Sequence, residues 1–429
     1  MKILLLADGM RAGGAETHIE TLAHGLRARG HAVALLSFGG TVADRMARDG
    51  FPVFAVPRIG FNPVRFFAAR RRLVRLVRAE KYDLLHAHTR ITALLSRGIC
   101  GACGRKSQKI PRVVTVHARF RVNPLLRLFC NWGDRTVAVS EDLRAYVSDV
   151  YGVPAECVDV IPNGIDLSRF RPAPARPSGA PLHVLFVSRM DADCSLGAFL
   201  LCEAAEKLGV FVDLWRRNAV PRADFSGGSR GETPVGRGKA PPEDQGGHAV
   251  EDCTRGRAEA AVSLPPFRIT LAGGGTCFRE VARCAEQANR AIGRPVVSVV
   301  DPSASRADLP VLYRAADVFV GVSRAAMEAA ASGCAVILCG NEGYGGVLTR
   351  ARPDLAAGNF CCRGEPCADL DRLFSDLFPL LSDKSLRAAA QADALAVIRR
   401  DFSSAEMCRL TEQTYCKTSE INLLFSREK

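Results

Sequence analysis

The sequence predicts an α/β protein of two Rossmann-like domains with parallel sheets facing across a cleft. Three observations carry that expectation. Short apolar, β-branched runs alternate with helical periodicity in both halves, a Pro-rich stretch separates the halves, and 429 residues exceed what one ordinary core organises.

In the first half, residues 2–7 read as a buried strand, 15–29 as a helix and 32–38 as a second strand. Further strands are expected at 84–88, 113–117 and 136–140. Strands separated by helices of roughly 10–15 residues imply right-handed βαβ units and a parallel sheet. Residues 169–181, RFRPAPARPSGAP, carry too much proline for helix or strand and read as a linker. The second half repeats the pattern, with strands at 183–187, 268–272, 296–300, 318–320 and 335–338, and helices at 195–208 and 325–332. Residues 217–259 are dense in Gly, Pro and charge and almost empty of large apolar side chains, which predicts a disordered surface insertion. Helical periodicity returns over 386–416. The expected domains are therefore 1–172, then 182–385 with the insertion 217–259, then the helices of 386–416.

Hydrophobic residues at 48% and charged residues at 24% fit a soluble globular chain. No apolar run approaches the roughly 20 residues of a membrane span. Asp8 ends the first apolar run well short of the roughly 7–15 residues of a secretory core. The sixteen cysteines are scattered without a disulfide framework, so a reduced, cytoplasmic protein is expected. Cys100 with Cys103, and Cys361, Cys362 and Cys367, lack a second ligand pair at zinc spacing, and no metal is expected.

Charge is unevenly placed. Residues 1–172 hold 27 Lys and Arg against 14 Asp and Glu, a net of +13, which equals that of the whole chain. The remainder balances at 31 against 31. A basic first half attracts phosphates, polyphosphates or anionic lipid. No nucleic-acid motif accompanies it, so nucleic acid is not an expected partner.

Gly13 and Gly14 follow the first strand and open a helix, the context in which backbone N–H groups approach a phosphate. A tight strand–helix turn explains the same pair without a ligand. His117 closes the strand 113–117, at the carboxyl edge where open parallel sheets bind ligands. It is either a ligand-facing group or a structural one. His86 and His88 read as structural.

Motifs in both halves resemble the retaining nucleotide-sugar glycosyltransferases of family 4. They are GlyGlyAlaGluThr at 13–17, the strand-ending His117, ValSerGluAspLeu at 139–143 and IleProAsnGlyIleAsp at 161–166. PheValSerArgMetAsp at 186–191, LeuAlaGlyGlyGly at 271–275, AlaAlaAspValPhe at 315–319 and MetGluAlaAlaAlaSerGly at 327–333 follow in order. The resemblance implies the GT-B fold, with a nucleotide-diphosphate sugar held in the cleft and no cofactor or metal. It implies Arg189 on the donor diphosphate, Glu328 at a helix start on the ribose, and His117 near the transferred sugar. Gly13, Gly14, Asn163, Gly274 and the loop of Asn341, Glu342 and Gly343 would complete the donor site. The C-terminal helices would pack back on the first domain.

Two positions depart from the family. Cys194 stands where a Lys is usual, five residues after Arg189, and Val320 stands where a Glu is usual, eight before Glu328. Besides another GT-B enzyme such as a sugar-nucleotide epimerase, two functional readings follow. One is an active glycosyltransferase that extends a glycolipid or polysaccharide precursor. The other is a catalytically degenerate member that binds a sugar nucleotide or a partner protein without efficient transfer.

Residues 63–81 combine six arginines with Phe66, Phe67, Leu73, Val74, Leu76 and Val77. At about 100° per residue much of the apolar set shares one face. That face packs on the sheet, while the basic side can rest on an anionic membrane. The expected location is cytoplasmic, peripheral to the membrane's inner face.

Overall fold

The computed structural model describes residues 1–11, 13–59, 62–103, 106–120, 127, 130–174, 179–218, 264–302 and 308–427. All but the first two residues of the predicted insertion 217–259 lie outside this set.

The first sheet has seven strands. In chain order they are β1 Lys2–Leu6, β2 Ala32–Ser37, β3 Val53–Ala55, β4 Leu84–Ala87, β7 Arg112–Val116, β8 Arg135–Ala138 and β9 Val158–Val160. Between β4 and β7, a separate antiparallel pair is formed by β5 Cys100–Cys103 and β6 Lys106–Lys109. The seven-stranded order is β3-β2-β1-β4-β7-β8-β9, parallel throughout. Both faces of β1 are covered, which is why it reads as an unbroken apolar run rather than an alternation. Ile3 and Leu5 pack with Leu22 and Leu35 on one side, and Leu4 and Leu6 with Leu36, Leu73 and Val77 on the other.

The second sheet runs β10 Leu182–Val187, β11 Phe267–Ala272, β12 Val297–Val300, β13 Val318–Gly321, β14 Ala335–Gly340 and β15 Gly343–Val347 in sequence. Its spatial order is β12-β11-β10-β13-β14-β15, parallel except for the last pair. In both sheets the strand order reverses beside the first strand, between β1 and β4 and between β10 and β13. Open α/β sheets bind ligands beyond the carboxyl ends of strands at such reversals.

The predicted loop 341–346 is mostly strand. Asn341 and Glu342 form a tight turn and Gly343 already pairs with Gly340. The helix predicted at 195–208 continues as Leu196–Asn218. Short edge strands β3, β9 and β15 were not anticipated, because they carry too few residues to set a period.

Two segments cross between the domains side by side. Ile165 N–H donates to Phe402 O at 2.8 Å and Ser404 N–H donates to Ile165 O at 2.9 Å. Helix Ser404–Arg427 then lies against helix Gly14–Ala28, burying Met407, Cys408 and Tyr415 in the first domain's core. Gly164 makes this crossing possible, since a Cβ there would fall 2.7 Å from Ser404 Cα and 2.8 Å from Met407 Cβ. Gly164→Ala should therefore force the two crossings apart and cost about 1–3 kcal/mol. Urea denaturation checks this, and an unchanged midpoint would show that the crossing has slack.

Candidate functional site

The first wall of the cleft is the carboxyl edge of β1, β4 and β7. Gly13 is the N-cap of helix Gly14–Ala28 in an extended conformation and makes no side-chain cap. The fifteen-residue helix therefore presents its first N–H groups and the positive end of its dipole to the cleft. Gly14 has open space where a Cβ would stand, whereas a Cβ on Gly13 would meet Glu16 Oε2 at 2.4 Å. Burial raises the pKa of Glu16, opposed by its own backbone hydrogen bond and by the charge of Arg189. Arg189 belongs to the other domain, so the two walls sense each other's charge at this point.

Four histidines cluster here, His18 on that helix and His86, His88 and His117 at the strand ends. His88 Nδ1 and His117 Nε2 are 3.2 Å apart, and His18 Nδ1 is 2.9 Å from Asn163 Oδ1. His86 is held by Tyr415 Oη on Nδ1 and Thr115 Oγ1 on Nε2, each at 2.7 Å. His117 thus sits where it was expected, and His88, read as structural, is its hydrogen-bonded partner. Sequence reasoning missed this because β4 and β7 are brought together only by sheet pairing. Ring nitrogens of His18, His88 and His117 lie within 4.8 Å of one another, so the described residues include a set able to ligate a metal. In the structure His88 Nδ1 meets His117 Nε2 and His18 Nδ1 meets Asn163, while His88 Nε2 is buried without a hydrogen-bond partner among the described residues. The thiols Cys361 and Cys362 are buried and free.

Burial holds these imidazoles neutral. It lowers His86 to about 3, with help from His117, and His117 to about 4. His18 and His88 are also lowered, first by burial and then by neighbouring charges, including Arg324 beside His18. The unfolded chain takes up protons first as pH falls below the ordinary value of 6.5. Stability contributed by the neutral cluster is therefore full above pH 6.5 and is lost toward pH 4. Thermal midpoints should fall across that window, and His117→Gln should flatten the fall. A parallel decline in both proteins would sink the assignment.

The second wall carries Arg189 just beyond β10. Its guanidinium lies 3.3 Å from Asp191, 3.6 Å from Asp193 and 3.4 Å from Cys194 Sγ, and its side chain is 62% exposed. Burial raises the Cys194 pKa, so a thiol rather than a thiolate stands where a cation was expected. Gly274 approaches Asp301, whose Oδ2 would lie 2.9 Å from an added Cβ. Asn341 accepts from Leu196 N–H at 3.2 Å and donates to Ala192 O at 3.1 Å, tying the β14–β15 turn to the Arg189 loop. Glu342 pairs with Arg363 at 3.1 Å, and Arg363 reaches Asp142 of the first domain at 3.1 Å. Gly343 has φ +153 and a Cβ would strike Cys362 O at 2.2 Å, so only glycine fits that turn.

Glu328 and Val320 sit differently from expectation. Helix Ser323–Ala331 begins earlier than predicted, which places Glu328 in its second turn rather than at its start. The carboxylate is buried in an ion pair with Arg324 Nε at 3.0 Å, while the Tyr313 hydroxyl is buried without a hydrogen-bond partner among the described residues. Arg324 also donates toward Gly164 O at 3.3 Å and Thr21 Oγ1 of the first domain at 3.4 Å. Val320 lies inside β13, fully buried and paired with Ile337, so a Glu there would enter the core and not the cleft. Counting eight residues back from Glu328 is thus the wrong ruler, and Arg324 is the group that faces it. Asn163 joins the domains, its Nδ2 donating to Asn359 Oδ1 at 3.2 Å while Oδ1 meets His18.

The family model described as Glycosyltransferase Family 4 matches residues 12–169. Over 206 residues the chain is 24% identical to a phosphatidylinositol N-acetylglucosaminyltransferase subunit of Arabidopsis thaliana, covering 44% of this chain and 45% of that protein. Over 140 residues it is 31% identical to UDP-Gal:alpha-D-GlcNAc-diphosphoundecaprenol alpha-1,3-galactosyltransferase of Escherichia coli, covering 29% and 35%. The matches thus span less than half the length of these curated relatives. Among solved structures, a glycosyltransferase from Rickettsia africae ESF-5 superposes with TM-score 0.64 at 15% identity, covering 96% of this chain and 98% of that one. Anabaena Alr3699/HepE in complex with UDP and glucose gives TM-score 0.63 at 17% identity, covering 97% and 100%. At such identities the superpositions establish the shared two-sheet GT-B fold.

Proposed function

We propose that this chain is a family 4 glycosyltransferase that transfers a sugar, with retention, from a nucleotide-diphosphate sugar to a glycolipid or polysaccharide-precursor acceptor. The observation that carries the reading is the uncapped start of helix Gly14–Ala28 on one domain, with the exposed guanidinium of Arg189 just beyond β10 on the other. A diphosphate bound between them meets a guanidinium on one side and an uncapped helix N-terminus on the other. Both stabilise the negative charge that builds on the leaving group, the role that fixed dipoles and cations play in such reactions. That arrangement asks for no metal. The neutral His117, hydrogen-bonded to His88, is suited to contact hydroxyls of the transferred sugar.

UDP-linked hexoses are the first donors to try, since UDP recurs in the names of the relatives. A thermal-shift screen with UDP- and GDP-sugars tests binding, because stabilisation grows with the logarithm of ligand excess over Kd. Transfer to a lipid-diphosphate sugar tests turnover. No shift with any nucleotide sugar would sink the proposal. The departure at Cys194 favours a second reading, a member that binds donor with little transfer, and then the shift appears without product.

We also propose that the acceptor is met at an anionic membrane surface. Helix Pro63–Glu80 buries Ala69, Leu73 and Val77, while Val64 and Phe67 are 75% and 62% exposed beside the arginines. No described helix is long and apolar enough to cross a membrane. Each Arg near anionic lipid contributes about 1 kcal/mol, screened by salt. Vesicles with phosphatidylglycerol should therefore sediment the protein at low salt and release it at high salt. Arg71→Glu with Arg75→Glu should abolish sedimentation, and pelleting indifferent to salt would count against the surface.

A further inference from the structure

Three imidazoles converge on the first wall of the cleft from three separate elements. His18 lies in helix Gly14–Ala28, His88 directly follows β4 and His117 directly follows β7. One ring nitrogen of each lies within 4.8 Å of the other two. His18 and His88 are buried and His117 is partly so. Tetrahedral zinc holds nitrogen ligands at about 2.0–2.1 Å, which sets two such nitrogens roughly 3.3 Å apart. His88 Nδ1 and His117 Nε2 stand at 3.2 Å, so two of the three rings already have the spacing that a shared cation imposes.

The hydrogen bonds around the cluster leave lone pairs for such a cation. Asn163 Nδ2 donates to Asn359 Oδ1, so Asn163 turns its oxygen to His18 Nδ1, and the neutral His18 ring carries its proton there. His18 Nε2 then holds a lone pair while the far side of the ring is fixed by an amide oxygen. That is the outer-shell arrangement usual for ligating histidine. His88 Nε2 is buried without a hydrogen-bond partner among the described residues. Whichever nitrogen of His88 carries the proton, the ring keeps one polar atom unsatisfied, which costs free energy until a ligand completes it. Burial holds all three rings neutral, and neutral imidazole is the form that ligates. Arg324, whose charge acts on His18, is itself paired with Glu328 at 3.0 Å. His86 stays outside the set, since Tyr415 and Thr115 occupy both its ring nitrogens.

Glu20, His24 and Asp49 also come close enough to share a cation. There both Glu20 oxygens are bound by Arg45, at 2.5 and 2.7 Å, and His24 and Asp49 are each 40% exposed. That group is a solvated set of ion pairs and carries no site.

We propose that His18, His88 and His117 form a binding site for a divalent transition cation of the zinc type, and that the bound cation takes His117 from the sugar and slows transfer. Three imidazoles without a carboxylate suit zinc, copper or nickel and not magnesium or calcium, which prefer oxygen. Three protein ligands leave the fourth position to water or a substrate oxygen. The cation is a regulator of the cleft and no part of the transfer step. Its binding stands on the geometry alone, whereas the slowing rests on the glycosyltransferase reading.

The test uses the untagged full chain with its cysteines reduced, and cobalt(II) and zinc as probes. One equivalent of cobalt(II) should give the visible bands of a four-coordinate centre without the sulfur-to-metal charge transfer of cysteine ligands, and zinc should displace it. Asn163→Leu, which removes the outer-shell oxygen, should weaken zinc binding roughly 10–100-fold. His18→Gln and His88→Gln, which remove ligands, should weaken it by more. Thermal midpoints show which variants fold, and the cobalt spectrum of the natural protein decides the site even if none does. One equivalent of zinc should lower transfer, a chelator should restore it, and magnesium should leave it unchanged. Absence of a stoichiometric cobalt centre, a spectrum dominated by thiolate bands, or equal zinc affinity in natural and folded histidine variants overturns the site. Zinc held by the histidines with transfer unchanged overturns the competition with the sugar. A natural protein without transfer in any condition counts against the glycosyltransferase reading instead, and the spectrum still decides the site.

Discussion

Arg324→Met should lower folding stability by about 3–5 kcal/mol at neutral pH, the usual cost of stranding one partner of a buried ion pair. Arg324 and Glu328 are each 9% exposed at the side chain and 3.0 Å apart. Without the guanidinium, the buried carboxylate loses its ion-pair partner, and the charge of Arg169 acts on it more weakly. The contacts to Gly164 O and Thr21 Oγ1 go with it, so the loss falls on the join between domains. Burial already raises the Glu328 pKa, with Arg324 as the main opposing influence. Removing Arg324 raises it further above the unfolded value of 4.5, so the folded variant binds its proton more readily than the unfolded one does. Its stability is therefore recovered as pH falls, and the deficit should shrink from neutral to mildly acidic solution. Pairing the change with Glu328→Leu should restore most of the loss, since two well-packed apolar residues often replace a buried pair without penalty. A single-variant cost below about 1 kcal/mol, typical of exposed pairs, would show that water reaches the pair.

That pair also marks the limit of what sequence pattern could reveal. Strand ends were legible because apolar runs stop abruptly. His117 and Gly13 could be placed at the carboxyl edge of a parallel sheet from local spacing alone. The identity of the partners could not. His88 meets His117 only because β4 pairs with β7, and Arg324 reaches Thr21 across more than three hundred intervening residues. Counting eight residues back from Glu328 lands inside β13, because that strand ends at Gly321, only two residues before helix Ser323–Ala331 begins. Asp8 looked like no more than the end of an apolar run, since burial of a carboxylate is a property of the packed loops around it. Local composition reports the period of an element, and long-range pairing decides which polar groups are left to face one another.

Cys194→Lys should raise the rate of transfer by about 10²-fold, the scale on which one charge-stabilising group acts at a departing oxyanion. Cys194 Sγ lies 3.4 Å from Arg189 Nη2, so a lysine there would set a second cation beside that guanidinium. Arg189 is at present shared between Asp191 at 3.3 Å and Asp193 at 3.6 Å, which offsets much of its charge. A lysine at 194 would compete for Asp193 and leave more of the arginine to the diphosphate. Because the leaving-group charge develops in the transition state, the gain should appear in kcat more than in KM. Cys194→Met fills similar space without charge and should leave the rate near that of the natural protein. Arg189→Ala should lower transfer in both backgrounds, since each loses the guanidinium beside position 194. If the natural protein transfers sugar and the lysine variant is faster, the cleft is an active site tuned below its ceiling. Should transfer exist only in the variant, the natural chain is the degenerate binder and Cys194 is the cause. Lysine and methionine variants with the same rate would show that position 194 does not face the leaving group, and the electrostatic account of this wall would have to rest on Arg189 and the helix N-terminus alone.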